Sequence, residues 1–205
     1  MRLRLAGVAA FLAPALGCFL TIVFMIYTHG SSGADRNGTF LGLDGHFFCR
    51  VGAIEAILLL VVLGAVRREV LPRRGLAFSS VGVAIIGSVM YLAGRVLQCW
   101  LADPGRDFEG IRVTVGFYLD GVGRMVLATS LLVGGISAIR RHLGSSIGPA
   151  IMLTGVGLWL ALIGAVLLDR ASNDLAAAAT GLLFWIGLCW VGQVLLTEGP
   201  RSQSQ

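Results

Sequence analysis

Six times along its 205 residues this chain runs for about 20 residues or more on almost nothing but apolar side chains. The length matters because a bilayer's hydrocarbon core, about 30 Å thick, is crossed by about 20 helical residues rising 1.5 Å each. The stretches are 5–27, 47–66, 76–102, 111–139, 147–168 and 175–196. In lipid the backbone has no water to bond, so a spanning segment is either a helix or a strand of a closed barrel. The alternation that a barrel needs is missing. The sequence is therefore read as all-α: one transmembrane domain over residues 1–205, its six spans forming a compact bundle.

Composition closes the other routes. Apolar residues make up 56% of the chain and charged ones 13%, with a mean hydropathy of +0.85. Soluble domains carry about 25% charged residues, so a water-soluble fold has too little polar surface here. Disordered, collagen-like and disulfide-scaffold chains are excluded by the same figures. The net charge of +5 and pI near 9.6 would suit a nucleic-acid partner in a soluble chain. Here the basic residues sit at the span ends, and no nucleic acid is expected. All sixteen basic residues are arginine, a usage that fits the codon bias of a GC-rich bacterial genome.

Turn-forming residues fall between the spans. Segment 30–37 is polar and glycine-rich, 67–75 holds Pro72, and 102–110 holds Pro104. Ser145 and Ser146 before Pro149, and Asn173 and Asp174 before Leu175, read as helix starts. Pro14 lies inside the first span, where a proline removes a backbone donor and kinks the helix. The first span is longer than a signal-peptide core, and no A-x-A-like site follows it, so it reads as a retained helix. With the N-terminus inside, nine arginines fall in cytoplasmic segments, five in outer ones and two within spans. Most acids, including Asp35, Asp103, Glu109 and Asp169, fall outside. The positive-inside rule then gives an N-in, C-in multi-pass protein of the bacterial cytoplasmic membrane.

Ionisable residues within spans are the chemically informative feature. They are Glu55, Arg95, Asp120 and Arg124, with Gln98 and Tyr91 beside them. Each charge costs about 2.5–3.5 kcal/mol to insert, so such groups face a bundle interior or a wet cavity. The topology puts all of them in the outer half of the bilayer. Asp120 and Arg124 are spaced i, i+4 with the acid first, the favourable order for a helix ion pair. Arg95 shares a helix face with Tyr91, Gln98 and Cys99. The bland reading is a salt-bridge network that fixes helix register. The functional reading is a ligand pocket in which Arg95 or Arg124 holds a carboxylate or phosphate and Glu55 or Asp120 handles protons.

A faint internal echo bears on this choice. Ser79-Ser80-Val81-Gly82 matches Ser145-Ser146-Ile147-Gly148, and an arginine pair closes the span before each. Either a helical hairpin was duplicated or biased composition produced the match. On the duplication reading, Arg95 and Gln98 align with Ala161 and Gly164, so the fold does not need those polar groups in both copies.

Other signals are weak. His29, His46 and His142 fall in loops, without metal-ligand spacing and without the placement that a membrane haem needs, so neither metal nor cofactor is expected. Cys18, Cys49, Cys99 and Cys189 show no C-x-x-C; Cys49 and Cys99 are the pair whose bridging the sequence leaves open. Small-residue ladders at Ser80-Ala84-Ser88, Ser130-Gly134-Ala138 and Gly157-Ala161-Ala165 permit close packing, within the bundle or between copies in a homo-oligomer. Trp100, Trp159, Trp185 and Trp190 include interface anchors. The G-x-S-G and last-span histidine of a rhomboid protease, an NPA pair, an intramembrane lysine, a P-loop and a zincin motif are all absent. Three expectations remain. The first is a membrane protein that binds a small ligand, lipid or partner helix through the charged pocket. The second is an intramembrane enzyme on a lipid or isoprenoid substrate, with Glu55 or Asp120 as catalytic acid/base. The third is a small oligomeric transporter or channel.

Overall fold

The computed structural model describes the backbone of residues 2–30, 45–98, 111–143, 146–167 and 170–197, and side chains over somewhat shorter ranges. Six helices are present among them: α1 (Arg2–Gly30), α2 (Gly45–Ala65), α3 (Leu76–Val96), α4 (Ile111–Arg140), α5 (Ile147–Leu167) and α6 (Arg170–Thr197). The protein is all-helical. Three of its segments, Leu76–Gln98, Thr114–Arg140 and Ile147–Gly164, are long and apolar enough to cross a membrane. Leu3–Phe19 and Gly181–Thr197 are shorter apolar helical segments. The segments 31–44 and 99–110, and with them Cys99, Trp100 and most of the acids assigned to outer loops, lie outside the described residues; so do the side chains of His29, His46 and Cys49.

Two boundaries differ from the reading above. Helix α6 begins at Arg170, before Asn173 and Asp174, so that polar pair lies in its first turns and does not cap it. Helix α2 passes at Val66–Val70 into a π-helical turn, closed by Leu71 N–H donating to Val66 O at 3.0 Å. Hydropathy is blind to both changes. Pro14 is accommodated within α1, which runs through it. Helix α4 ends in a Schellman motif: Leu143 N–H bonds Ala138 O at 3.1 Å and His142 N–H bonds Ile139 O at 3.0 Å. His142 takes the left-handed position (φ 50°) that glycine usually fills. At the start of α3, Gly75 (φ 115°) makes a turn that L side chains rarely adopt.

The helices run up and down in a ring. Each packs on its neighbour in the chain, and α1 closes the circle against α6. Glycine sets the closeness of the tightest contacts. A Cβ at Gly87 would stand 2.7 Å from Leu127 N, one at Gly94 2.5 Å from Asp120 N, and one at Gly123 2.5 Å from Tyr91 N. Backbone therefore lies on backbone along α3 and α4, with the glycines seven residues apart on one face of each helix. The Ser80 and Gly134 ladders also meet here, a Cβ at Gly134 falling 3.3 Å from Ser80 Cβ. The α5–α6 contact is built likewise: a Cβ at Gly157 would collide with the Phe184 backbone, and one at Gly187 would stand 2.6 Å from Thr154 N.

Inside the ring, toward the end where α1 begins, Leu59, Val62, Val81, Leu131, Ile151 and Leu188 form an apolar plug. It leaves a cavity of about 10 Å³, at the lower edge of what one water needs, and the wall offers it almost nothing polar. Thr154, the polar residue in that wall, spends its hydroxyl on Ala150 O at 2.8 Å. The outside is also apolar, with Ile86, Phe117, Tyr118 and Ile186 more than half exposed. A monomeric soluble protein rarely shows apolar surface on this scale.

Candidate functional site

The α3–α4 glycine contacts fix the register that builds the site. With Gly94 against Asp120 and Gly123 against Tyr91, the two helices bring Arg95 beside Asp120 and Tyr91 beside Arg124. Asp120 is the centre of the pairing. Arg124 Nε lies 2.8 Å from Asp120 Oδ1, and Arg124 Nη2 donates to Asp120 Oδ2 at 3.4 Å. Arg95 Nε approaches the same Oδ2 at 3.5 Å. Both guanidiniums also lie over the buried Tyr91 ring, Arg124 at 4.6 Å and Arg95 at 5.6 Å from its centroid. A π-face attracts a cation by its quadrupole, more so where water is scarce.

Distance and direction disagree within this cluster, and the disagreement carries information. The 2.8 Å and 3.5 Å approaches suffice for charge attraction, yet neither N–H is aimed well enough to make a hydrogen bond. Arg95 Nε, Asp120 Oδ1 and, one turn along α3, Gln98 Nε2 are buried atoms without a hydrogen-bond partner among the described residues. An unmet buried polar atom costs about 1–3 kcal/mol, more beside a charge. The side chains remain partly open, at 25% exposure for Arg95, 14% for Asp120 and 29% for Arg124, so a visiting molecule has access.

Glu55 faces this cluster from α2, within electrostatic reach of Arg124 and Arg95, and accepts a hydrogen bond from the Trp185 side chain across the ring on α6. Gly17 on α1 makes room for that meeting: a Cβ there would stand 2.6 Å from Trp185 Nε1 and 3.0 Å from Glu55 Oε1. Cys18 lies within electrostatic range of Glu55 and of Cys189, and both thiols are free. Five of the six helices thus contribute to one polar layer above the apolar plug.

The structure brings together Glu55, Tyr91, Arg95, Asp120 and Arg124, and places Gln98 one turn further on, its side chain against Gly116. Sequence reasoning missed two partners. Its sequence context groups Trp185 with interface anchors, but its indole bonds inward to Glu55, and Gly17 carries no mark of its role. A glycine facing a tryptophan from a helix far away in the sequence leaves no local signal. The glycines of α3 and α4 did leave one, their shared spacing of seven. Among the described residues no group of three or more His, Cys, Asp or Glu side chains is placed to hold a metal. No family model matches the chain, and neither a curated protein nor a solved structure shows similarity to it. Fold and site together define a class: an all-helical protein of membrane-spanning character with a charged layer enclosed by its helices.

Proposed function

We propose that this chain is a six-span protein of the bacterial cytoplasmic membrane, with both termini in the cytoplasm. Its charged layer, in the outer half of the bilayer, binds the acidic group of a small ligand or lipid. The observation that carries the reading is a pair of unmet donors. Asp120 pairs with both guanidiniums and Glu55 faces them from α2, yet Arg95 Nε and, one turn on, Gln98 Nε2 are buried without an acceptor among the described residues. A carboxylate or phosphate oxygen offers lone pairs to both, and arginine's planar fork suits either anion. A hydroxyl on the same ligand would give Asp120 Oδ1 its missing donor.

The apolar plug favours a site entered from one end over a continuous path through the ring. Asp120 is committed to two guanidiniums, which makes Glu55 the acid that an enzyme of this architecture would use for proton transfer. Native mass spectrometry of the detergent-purified protein tests the binding reading. The wild type is expected to retain an acidic adduct that Arg95→Gln and Gln98→Leu each lose while still folded. A wild type that comes free of any adduct, or an adduct that Arg95→Gln and Gln98→Leu both retain, would remove the reading.

A further inference from the structure

A cation without an ion pair among the described residues stands at the opposite end of the molecule from the charged layer. Arg67, in the π-helical turn after α2, does not extend outward into solvent. Its guanidinium lies over the Phe78 ring, Cζ 4.3 Å from the centroid, and against Gly82, two turns inside α3, where a Cβ would stand 3.2 Å from Arg67 Cζ. Its Nε is buried and makes no hydrogen bond among the described residues. Arg141, from the end of α4, lies over Gly75, a Cβ there falling 2.6 Å from Arg141 Nη1. Gly75 caps α3 and Gly82 lies seven residues further on, so the two guanidiniums stand at successive levels along the start of α3, Arg141 the outer one. Arg73, Arg74 and Arg140 are exposed nearby, while Glu69, the one acid among the described residues at this end, pairs with Arg68 at 3.4 Å.

We propose that this corner, between the α2–α3 turn and the end of α4, holds the headgroup of an anionic phospholipid, with Arg67 contacting its phosphate and Arg141 steering it from the outer side. The ligand is amphipathic because the surroundings are. Leu76 and Val83, 55% and 44% exposed, continue the same helix as a strip on which an acyl chain rests. A buried N–H that lacks an acceptor gains one from a phosphate oxygen, and the adjacent arginines steer the anion in.

The test is the thermal stability of the full chain in neutral detergent, titrated with phosphatidylglycerol, phosphatidylcholine, glycerol phosphate or inorganic phosphate. Phosphatidylglycerol is expected to raise the melting temperature, and the other three are not. Arg67→Gln should weaken that response about five- to tenfold, and Arg4→Gln, at an exposed position on α1, should leave it unchanged. Should Arg67→Gln fail to fold, Phe78→Leu keeps the charge, removes the platform and is expected to weaken the response in the same direction. A phosphatidylglycerol response unchanged in Arg67→Gln, or in Phe78→Leu where that variant must stand in, overturns the proposal. So does an equal response to glycerol phosphate or inorganic phosphate, which would make the ligand a free anion. The central site's own test, loss of an adduct in Arg95→Gln, is unaffected by any of these results.

Discussion

Hairpins α3–α4 and α5–α6 are built alike and used differently. Both are antiparallel pairs pressed backbone to backbone by glycine, through Gly87, Gly94 and Gly123 in the first and Gly157 and Gly187 in the second. Their first helices carry related tetrapeptides, one turn inside α3 and at the start of α5, and in that alignment Arg95 and Gln98 correspond to Ala161 and Gly164. The second hairpin reaches the same close packing with no charge at those positions. Close packing therefore does not require Arg95, Asp120 and Arg124, and the polar groups of the first hairpin are an addition to a frame that glycine already holds. In a bundle where each intramembrane charge costs a few kcal/mol, an addition of this kind calls for a purpose beyond register.

The largest expected effect tests the shared half of that comparison. Gly123→Val would drive a side chain into Tyr91 N and Gly87 O, at 2.5 and 2.7 Å from its Cβ, and Gly157→Val would drive one into the Phe184 backbone. Backbone cannot step aside as a side-chain tip does, so each variant should lose about 3 kcal/mol or more. Size-exclusion profiles and melting temperatures in detergent will show little folded protein for either. If only Gly123→Val collapses, the two hairpins are not held in the same way.

The next effect isolates the difference. Asp120→Asn leaves two guanidiniums sharing no negative charge within the α3–α4 pair and should cost about 3 kcal/mol. Removing every charge of the layer, in Asp120→Asn with Arg95→Gln, Arg124→Gln and Glu55→Gln, should restore much of the melting temperature, because a neutral layer resembles the second hairpin. A quadruple variant no more stable than the single one would show that the charges do hold the frame. Recovery of stability without recovery of the acidic adduct would separate binding from folding.

Hydropathy made the helices and their number legible because lipid imposes one length and one backbone solution. The charged residues were legible for the same reason, since apolar runs make an exception such as Asp120 conspicuous. What stayed hidden depends on geometry between distant segments. Nothing around Trp185 tells of Glu55, 130 positions earlier, and nothing in the run around Gly17 says that its missing Cβ makes room for both. Local hydrogen bonding hid the rest: the π-helical turn at Val66–Val70 and the entry to α6 at Arg170 change no hydropathy.

That hidden contact gives a smaller effect. Gly17→Ala places a methyl 2.6 Å from Trp185 Nε1 and should push the indole off Glu55, costing about 1–2 kcal/mol for the lost hydrogen bond and repacking. In a background retaining Trp185 as its single tryptophan, the emission should change with it. An unchanged spectrum would mean that α1 does not press on the pair.

The smallest effect carries the opposite sign, and it separates glycines that interlock helices from those that do not. Gly64 lies on α2, and a Cβ there meets no described atom within 4 Å, unlike one at Gly87 or Gly157. Glycine inside a helix costs about 1 kcal/mol relative to alanine through backbone entropy, a cost offset only where the missing Cβ permits an approach. Gly64→Ala should therefore raise the melting temperature slightly, while Gly87→Ala, with Leu127 N 2.7 Å from the new atom, should lower it. Equal and negative shifts for both would show that α2 is packed as tightly as the hairpins, and the charged layer would then have a rigid wall on its Glu55 side. A gain at Gly64 would show that α2 is held by the side chains of Leu59 and Val62 and not by a glycine contact, so that Glu55 reaches Arg95 and Arg124 from a helix seated differently from either hairpin.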